Sequence, residues 1–149
     1  MILSPHFDDA AISLGGLLAK EGAESVVATF FTGTPKPSLS RPWDLASGFA
    51  DSSAAMQERV RENTLSLGSL RVPDAAIINY AYLDNQYREI PTYTGPGEAE
   101  IVSAIAKDIK KLLARFGGAQ LSATFFPPCP ISGGREKLAF ISAQILADC

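Results

Sequence analysis

His6, the single histidine of the chain, stands two residues before Asp8 and three before Asp9. An imidazole nitrogen and a carboxylate oxygen are good ligands for Zn²⁺ or a similar divalent ion. The remaining aspartate can then take the proton of a water acidified by that ion, which creates a nucleophile for an amide carbonyl. Spacing alone makes His6 with one aspartate a candidate half of a metal site and the other aspartate a candidate general base. A catalytic zinc normally takes three protein ligands and a water, so this segment supplies one ligand too few. The same residues also have a purely structural reading. An aspartate at a helix N-cap satisfies free backbone N–H groups, and carboxylates in a first turn suit the helix dipole.

The elements around the trio decide what it can reach. Ile2 to Ser4 read as the end of a buried strand and Pro5 as its exit. The apolar pattern from Ala10 to Ala19 reads as a helix that starts at Asp8 or Asp9. The trio then lies at the carboxyl end of a strand, where open α/β sheets bind ligands. Residues 25–31 (SVVATFF) suit a strand buried on both faces, and a Pro-, Ser- and Gly-rich loop follows to about residue 53. Its tryptophan, Trp43, would either wall a pocket or pin the loop to the body. Residues 54–70 read as a helix with Met56, Val60, Leu67 and Leu70 on one side and Arg59, Arg61 and Glu62 on the other. Residues 75–80 read as a strand and 81–97 as a polar loop. Ile101, Ile105, Ile109, Leu112 and Phe116 mark an amphipathic helix whose wet face carries Lys107, Lys110 and Lys111. Gly117-Gly118 closes it, residues 121–126 suit a fourth strand, and residues 135–146 a last helix. This alternation predicts an α/β fold, a mostly parallel sheet with helices on both faces in three layers.

The composition of the 149 residues is that of an ordinary globular domain, 46% hydrophobic and 19% charged. The balance of 13 basic against 16 acidic residues gives a net charge of −3. No basic tract offers a phosphate-backbone footprint, which argues against nucleic acid as a partner. The sequence has neither an apolar run long enough for a membrane span nor a signal-peptide pattern, so a cytoplasmic location is the expectation. Cys129 and Cys149 make no CxxC pair. Cys129, between two prolines, reads as a packed loop thiol, since no second histidine could activate it.

Ser4-Pro5-His6-Phe7-Asp8-Asp9-Ala10 with Gly15-Gly16 resembles the opening motif of the PIG-L (LmbE-like) family, the GlcNAc-PI de-N-acetylase group of metal-dependent enzymes that remove acetyl groups from N-acetylglucosamine-type sugars. The similarity continues through Phe31-Thr32-Gly33-Thr34-Pro35, Trp43-Asp44 with Gly48-Phe49, Arg59 with Glu62-Asn63, and Leu83-Asp84-Asn85-Gln86-Tyr87-Arg88. The resemblance implies a Rossmann-like fold, His6 and Asp9 as metal ligands, zinc or another divalent metal as cofactor, and Asp8 as general base. It also implies that Arg59 and Asp84 contact the sugar, with Arg88 in the same loop motif. Arg59 has a plain alternative, a surface ion pair with Glu62 at i, i+3.

The sequence departs from the family after the fourth strand. There the family carries a His-x-Asp-His segment that completes the metal site. This chain has Pro130-Ile131-Ser132-Gly133-Gly134-Arg135-Glu136-Lys137 instead. Glu136 and Cys129 are chemically acceptable substitutes as zinc donors. By the resemblance, residues 1–149 form a single domain that is shortened, or incomplete, at its C-terminus.

Two functions follow as expectations. One is a metal-dependent N-deacetylase acting on a small N-acetylated sugar conjugate. The other is a degenerate, non-catalytic relative serving as a sugar-binding or interaction module. A nucleotide-binding domain fits poorly, because Ser13-Leu14-Gly15-Gly16 is not GxGxxG.

Overall fold

The computed structural model describes residues 1–88, 96–116 and 122–123. Four short strands, β1 (Ile2–Ser4), β2 (Val27–Thr29), β3 (Ile77–Asn79) and β4 (Ser122–Ala123), form a sheet in the order β3-β2-β1-β4. Every pairing is parallel, with Leu3 opposite Ala28 and Ala123, and Ala28 opposite Ile78. Four α-helices lie among the described residues: α1 (Asp9–Glu21), α2 (Pro42–Ala46), α3 (Ser52–Ser69) and α4 (Pro96–Arg115).

Alternation along the strands decides which helix packs where. Ile2 and Val27 pack with Ala10 and Leu18 of α1 and Leu67 of α3. Their chain neighbours Leu3 and Ala28 pack with Ile105, Ile109 and Leu112 of α4, together with Phe30 and Phe31. Leu3, Leu18, Val27, Leu67 and Ile109 are fully buried. Each of these large side chains contributes roughly 1.5–3 kcal/mol by leaving water.

Several boundaries differ from the sequence reading. The second strand is Val27–Thr29 rather than 25–31, because Phe30 and Phe31 leave the regular ladder. Their amides donate to the carbonyls of Ser4 and Pro5, at 3.1 and 2.9 Å, and Phe31 makes an isolated antiparallel bridge to Ala81. The segment read as one long loop contains α2, whose Pro42 occupies the first turn, where a missing N–H costs nothing. Trp43 is 63% exposed, so most of its ring is not packed against the body as a pin for that loop would be. In α3 the buried stripe runs through Met56, Asn63 and Leu67, while Val60 is 40% exposed and so does not belong to the apolar side. Lys107, Lys110 and Lys111 are exposed as expected. No described helix is long and apolar enough to cross a membrane. The expected helix at 135–146, Cys129, Glu136 and the segment 130–137 lie outside the described residues.

Two tight approaches fix the site-bearing loops. Thr32 and Gly33 donate backbone N–H bonds to the carbonyls of Tyr80 and Tyr82, at 3.3 and 2.9 Å. A Cβ on Gly33 would sit 2.6 Å from the Ala81 carbonyl oxygen, so glycine is what lets the chain after β2 lie on the chain after β3. From the other side of the sheet edge, Tyr82 donates its phenol to Asp108 Oδ2 of α4 at 2.6 Å.

Candidate active site

β1 ends at Ser4, α1 begins at Asp9, and the connection between them carries His6, Phe7 and Asp8. Asp8 occupies the N-cap position with helical dihedrals and makes no side-chain capping bond. The capping explanation therefore does not account for it, and its carboxylate lies exposed at the strand end. Asp9 is 1% exposed. It turns back across the connection, where its Oδ2 accepts the His6 backbone N–H at 3.1 Å and lies 3.2 Å from His6 Nδ1.

The other edge of the imidazole faces a different carboxylate. His6 Nε2 is 3.7 Å from Asp84 Oδ1, an oxygen that also accepts the Asn85 N–H. Burial opposes a charge on the ring, but the bonds and charges of Asp84 and Asp9 outweigh it and raise the His6 pKa to about 9. Asp84 shows the complementary balance. Its burial favours the neutral acid, while His6, the Asn85 amide and the Arg59 charge together hold the carboxyl below its ordinary value.

A divalent ion fits this pair on one edge. With bonds of 2.0–2.1 Å, two ligands of a tetrahedral ion are roughly 3.3–3.4 Å apart, close to the 3.2 Å between His6 Nδ1 and Asp9 Oδ2. Asp84 cannot join the same ion, because it addresses the opposite ring nitrogen. It stands 3.7 Å from Nε2, on the side of the ring away from Asp9. Among the described residues no group of three His, Cys, Asp or Glu side chains stands together as a metal site.

The remaining expected residues surround this core. The side chains of Phe7, Met56 and Tyr87 form a small buried cluster with Leu83 at its edge, which joins the β1 exit, α3 and the loop of Asp84. Arg59, on α3, is not paired with Glu62. Its Nη2 instead lies 3.5 Å from Oδ1 of Asp44, and the i, i+3 ion pair of this helix is Glu58 with Arg61. Arg88 donates Nε to the Leu83 carbonyl at 3.0 Å and lays its guanidinium over Phe31, 5.6 Å from the ring centre. The His6 ring is also 5.6 Å from Phe31. Arg88 thus braces its own loop against the scaffold beside His6, with its pKa lowered by burial.

Asp44 and Tyr87 stand in motifs of the resemblance, but the sequence assigns them no role. Asp44 is completely buried and accepts the Tyr87 phenol at 2.8 Å. The sequence signals for them were the Trp43-Asp44 and Leu83–Arg88 motifs of the resemblance and Pro42, which opens the one-turn helix that carries Asp44. Burial and the bond to Asp44 both push the Tyr87 phenol up.

No protein-family model matches the sequence, and no curated protein matches it. Solved structures do. A deacetylase of the teicoplanin biosynthesis pathway, in complex with teicoplanin, superposes with a TM-score of 0.80 at 22% identity, covering 99% of this chain and 65% of that one. The A40926 pseudoaglycone deacetylase Dbv21 gives a TM-score of 0.77 at 21% identity, over 99% of this chain and 58% of that one. A zinc-inhibited form of the teicoplanin deacetylase Orf2 gives 0.72 at 23% identity, over 96% and 62%. The chain has the α/β fold of these deacetylases and spans between 58% and 65% of their length.

Proposed function

We propose that this chain is a PIG-L-like N-deacetylase, with a three-layer Rossmann-like fold, that hydrolyses the acetamide of an N-acetylglucosamine-type sugar conjugate with the help of a divalent metal. The observation that carries the reading is the 3.2 Å separation of His6 Nδ1 and Asp9 Oδ2 at the carboxyl end of β1. The likeness to deacetylases of glycopeptide biosynthesis supports it.

His6 and Asp9 would hold the ion, which when bound supplies acidification of a water and polarisation of the acetamide carbonyl. Asp8, exposed and uncommitted to the helix cap, would take the water's proton on its carboxylate and return it to the departing amine. Asp84 keeps the His6 ring turned so that Nδ1 faces Asp9. Arg59 and Asp84 offer a donor and an acceptor to sugar hydroxyls, and Arg88 holds the loop that carries Asp84. A third metal donor would come from outside the described residues, where Cys129 and Glu136 carry suitable groups.

A second reading has a specific observation behind it. Only two metal donors stand together among the described residues, and residues 130–137 include no histidine. A sugar-binding module without turnover would be built in this way. The two readings separate on Asp8→Asn in metal-loaded protein. The enzyme loses acetate release and keeps its metal, whereas the module releases no acetate in either form and binds sugar equally well in both.

A further inference from the structure

A buried carboxylate is costly unless it is hydrogen-bonded and paired, and Asp44 is 0% exposed. Its neighbours are a neutral phenol, Tyr87 at 2.8 Å, and one guanidinium nitrogen, Arg59 Nη2 at 3.5 Å. Both reach the same oxygen, Oδ1. The second oxygen, Oδ2, is buried with no hydrogen-bond partner among the described residues. Asparagine could accept the phenol at less cost, so the phenol does not explain the charge. What a carboxylate adds is a planar, two-oxygen match to a guanidinium.

The three partners lie on three segments, α2, α3 and the turn Asn85–Tyr87; α3 carries the proposed sugar contact Arg59, and the other proposed contact, Asp84, caps the turn. We propose that Asp44 is a positioning residue for the sugar site: held by Tyr87, it aims the Arg59 guanidinium and so sets affinity for the N-acetylated sugar. The inference rests on the reading of Arg59 as a sugar contact. Asp44 itself is fully buried and acts only through Arg59. Tyr87 locks the carboxylate, and Oδ2 is available for a second guanidinium bond when a ligand draws Arg59 into place.

The test is a titration of the 149-residue chain with the methyl glycoside of N-acetylglucosamine, followed by ligand-observed NMR. Wild type, Asp44→Asn, Tyr87→Phe, Arg59→Ala and the double variant Asp44→Asn/Arg59→Ala are compared, with circular dichroism reporting folding. The expected result is about tenfold weaker binding for Asp44→Asn, consistent with loss of a charge-assisted bond, and a smaller loss for Tyr87→Phe. The double variant should bind no more weakly than Arg59→Ala, because Asp44 acts only through that residue. Wild-type affinity in folded Asp44→Asn, or losses that add in the double variant, would overturn the inference. If Asp44→Asn does not fold, Tyr87→Phe decides, and unchanged affinity there overturns it. A wild type that binds no glycoside overturns the sugar reading and this inference together, whereas a wild type that binds while the variants match it overturns this inference alone.

Discussion

Asp9 touches His6 twice. Its Oδ2 accepts the His6 backbone N–H at 3.1 Å and stands 3.2 Å from Nδ1 of the same residue. The first contact fixes the backbone turn between β1 and α1, and the second fixes which ring nitrogen faces the carboxylate. A local turn therefore builds a pair of donors with the edge length of a tetrahedral ion, using only residues 6 to 9.

Removing the charge of Asp9 should remove the ion. In Asp9→Asn the oxygen remains but the anionic ligand does not, and zinc affinity is expected to fall by at least about 100-fold. Competition against a chromophoric chelator measures this. Equal affinity in the folded variant would place the metal elsewhere.

Asp84 should matter to metal affinity without being a ligand. It faces His6 Nε2 at 3.7 Å, and loss of such an outer carboxylate typically costs 10–100-fold in affinity. Asp84→Asn is expected to bind zinc about tenfold more weakly in the same competition assay. Unchanged zinc affinity, with weakened glycoside binding, would make Asp84 a sugar contact only.

Gly33 should resist substitution. An added Cβ would meet the Ala81 carbonyl oxygen at 2.6 Å, and that atom belongs to backbone and cannot swing aside. Gly33→Ala is expected to cost about 1–3 kcal/mol, the usual range for overpacking, read from urea denaturation. A loss below about 0.5 kcal/mol would mean that the two loops do not lie so close.

Asp108 should contribute to acid sensitivity. Its bonds to Lys111 and to the Tyr82 phenol hold its pKa below the ordinary value. A depressed carboxyl stabilises the fold at pH above its unfolded pKa of about 3.9 and loses that contribution as pH falls through the folded value. Below about pH 4, the wild type should therefore lose melting temperature more steeply than Asp108→Asn, as scanning calorimetry at successive pH values would show. Parallel curves would contradict the ion pair.

The nearest-neighbour chemistry of this site was legible in the sequence, and the distant contacts were not. His6, Asp8 and Asp9 are set by one strand exit and one helix start, and both elements announce themselves by apolar pattern. The capping alternative for Asp8 could be rejected only by geometry, since an aspartate before a helix looks the same whether or not it caps. Arg59 illustrates the opposite case. Glu62 was its natural partner by helix spacing, but α2 brings Asp44 to it from 15 residues away. A one-turn helix is too short for any periodicity, so although Trp43-Asp44 stood out as a motif, no apolar pattern marked Asp44 as a buried charge. Val60 failed for a related reason: the inward stripe of α3 follows Met56, Asn63 and Leu67, and a polar residue occupies the place that an apolar one should have taken. The strands read too long at residues 25–31, because Phe30 and Phe31 remain buried after they leave the ladder.

The central claim is that Asp8 acts as the base of a metal-assisted deacetylation. The most direct measurement is acetate release from the methyl glycoside of N-acetylglucosamine by zinc-loaded wild type and Asp8→Asn, with bound metal quantified in both. The account predicts turnover by wild type, a loss of about 100-fold or more in Asp8→Asn, and equal metal content. Equal acetate release by the two proteins, or none from a wild type that carries stoichiometric metal, would contradict it.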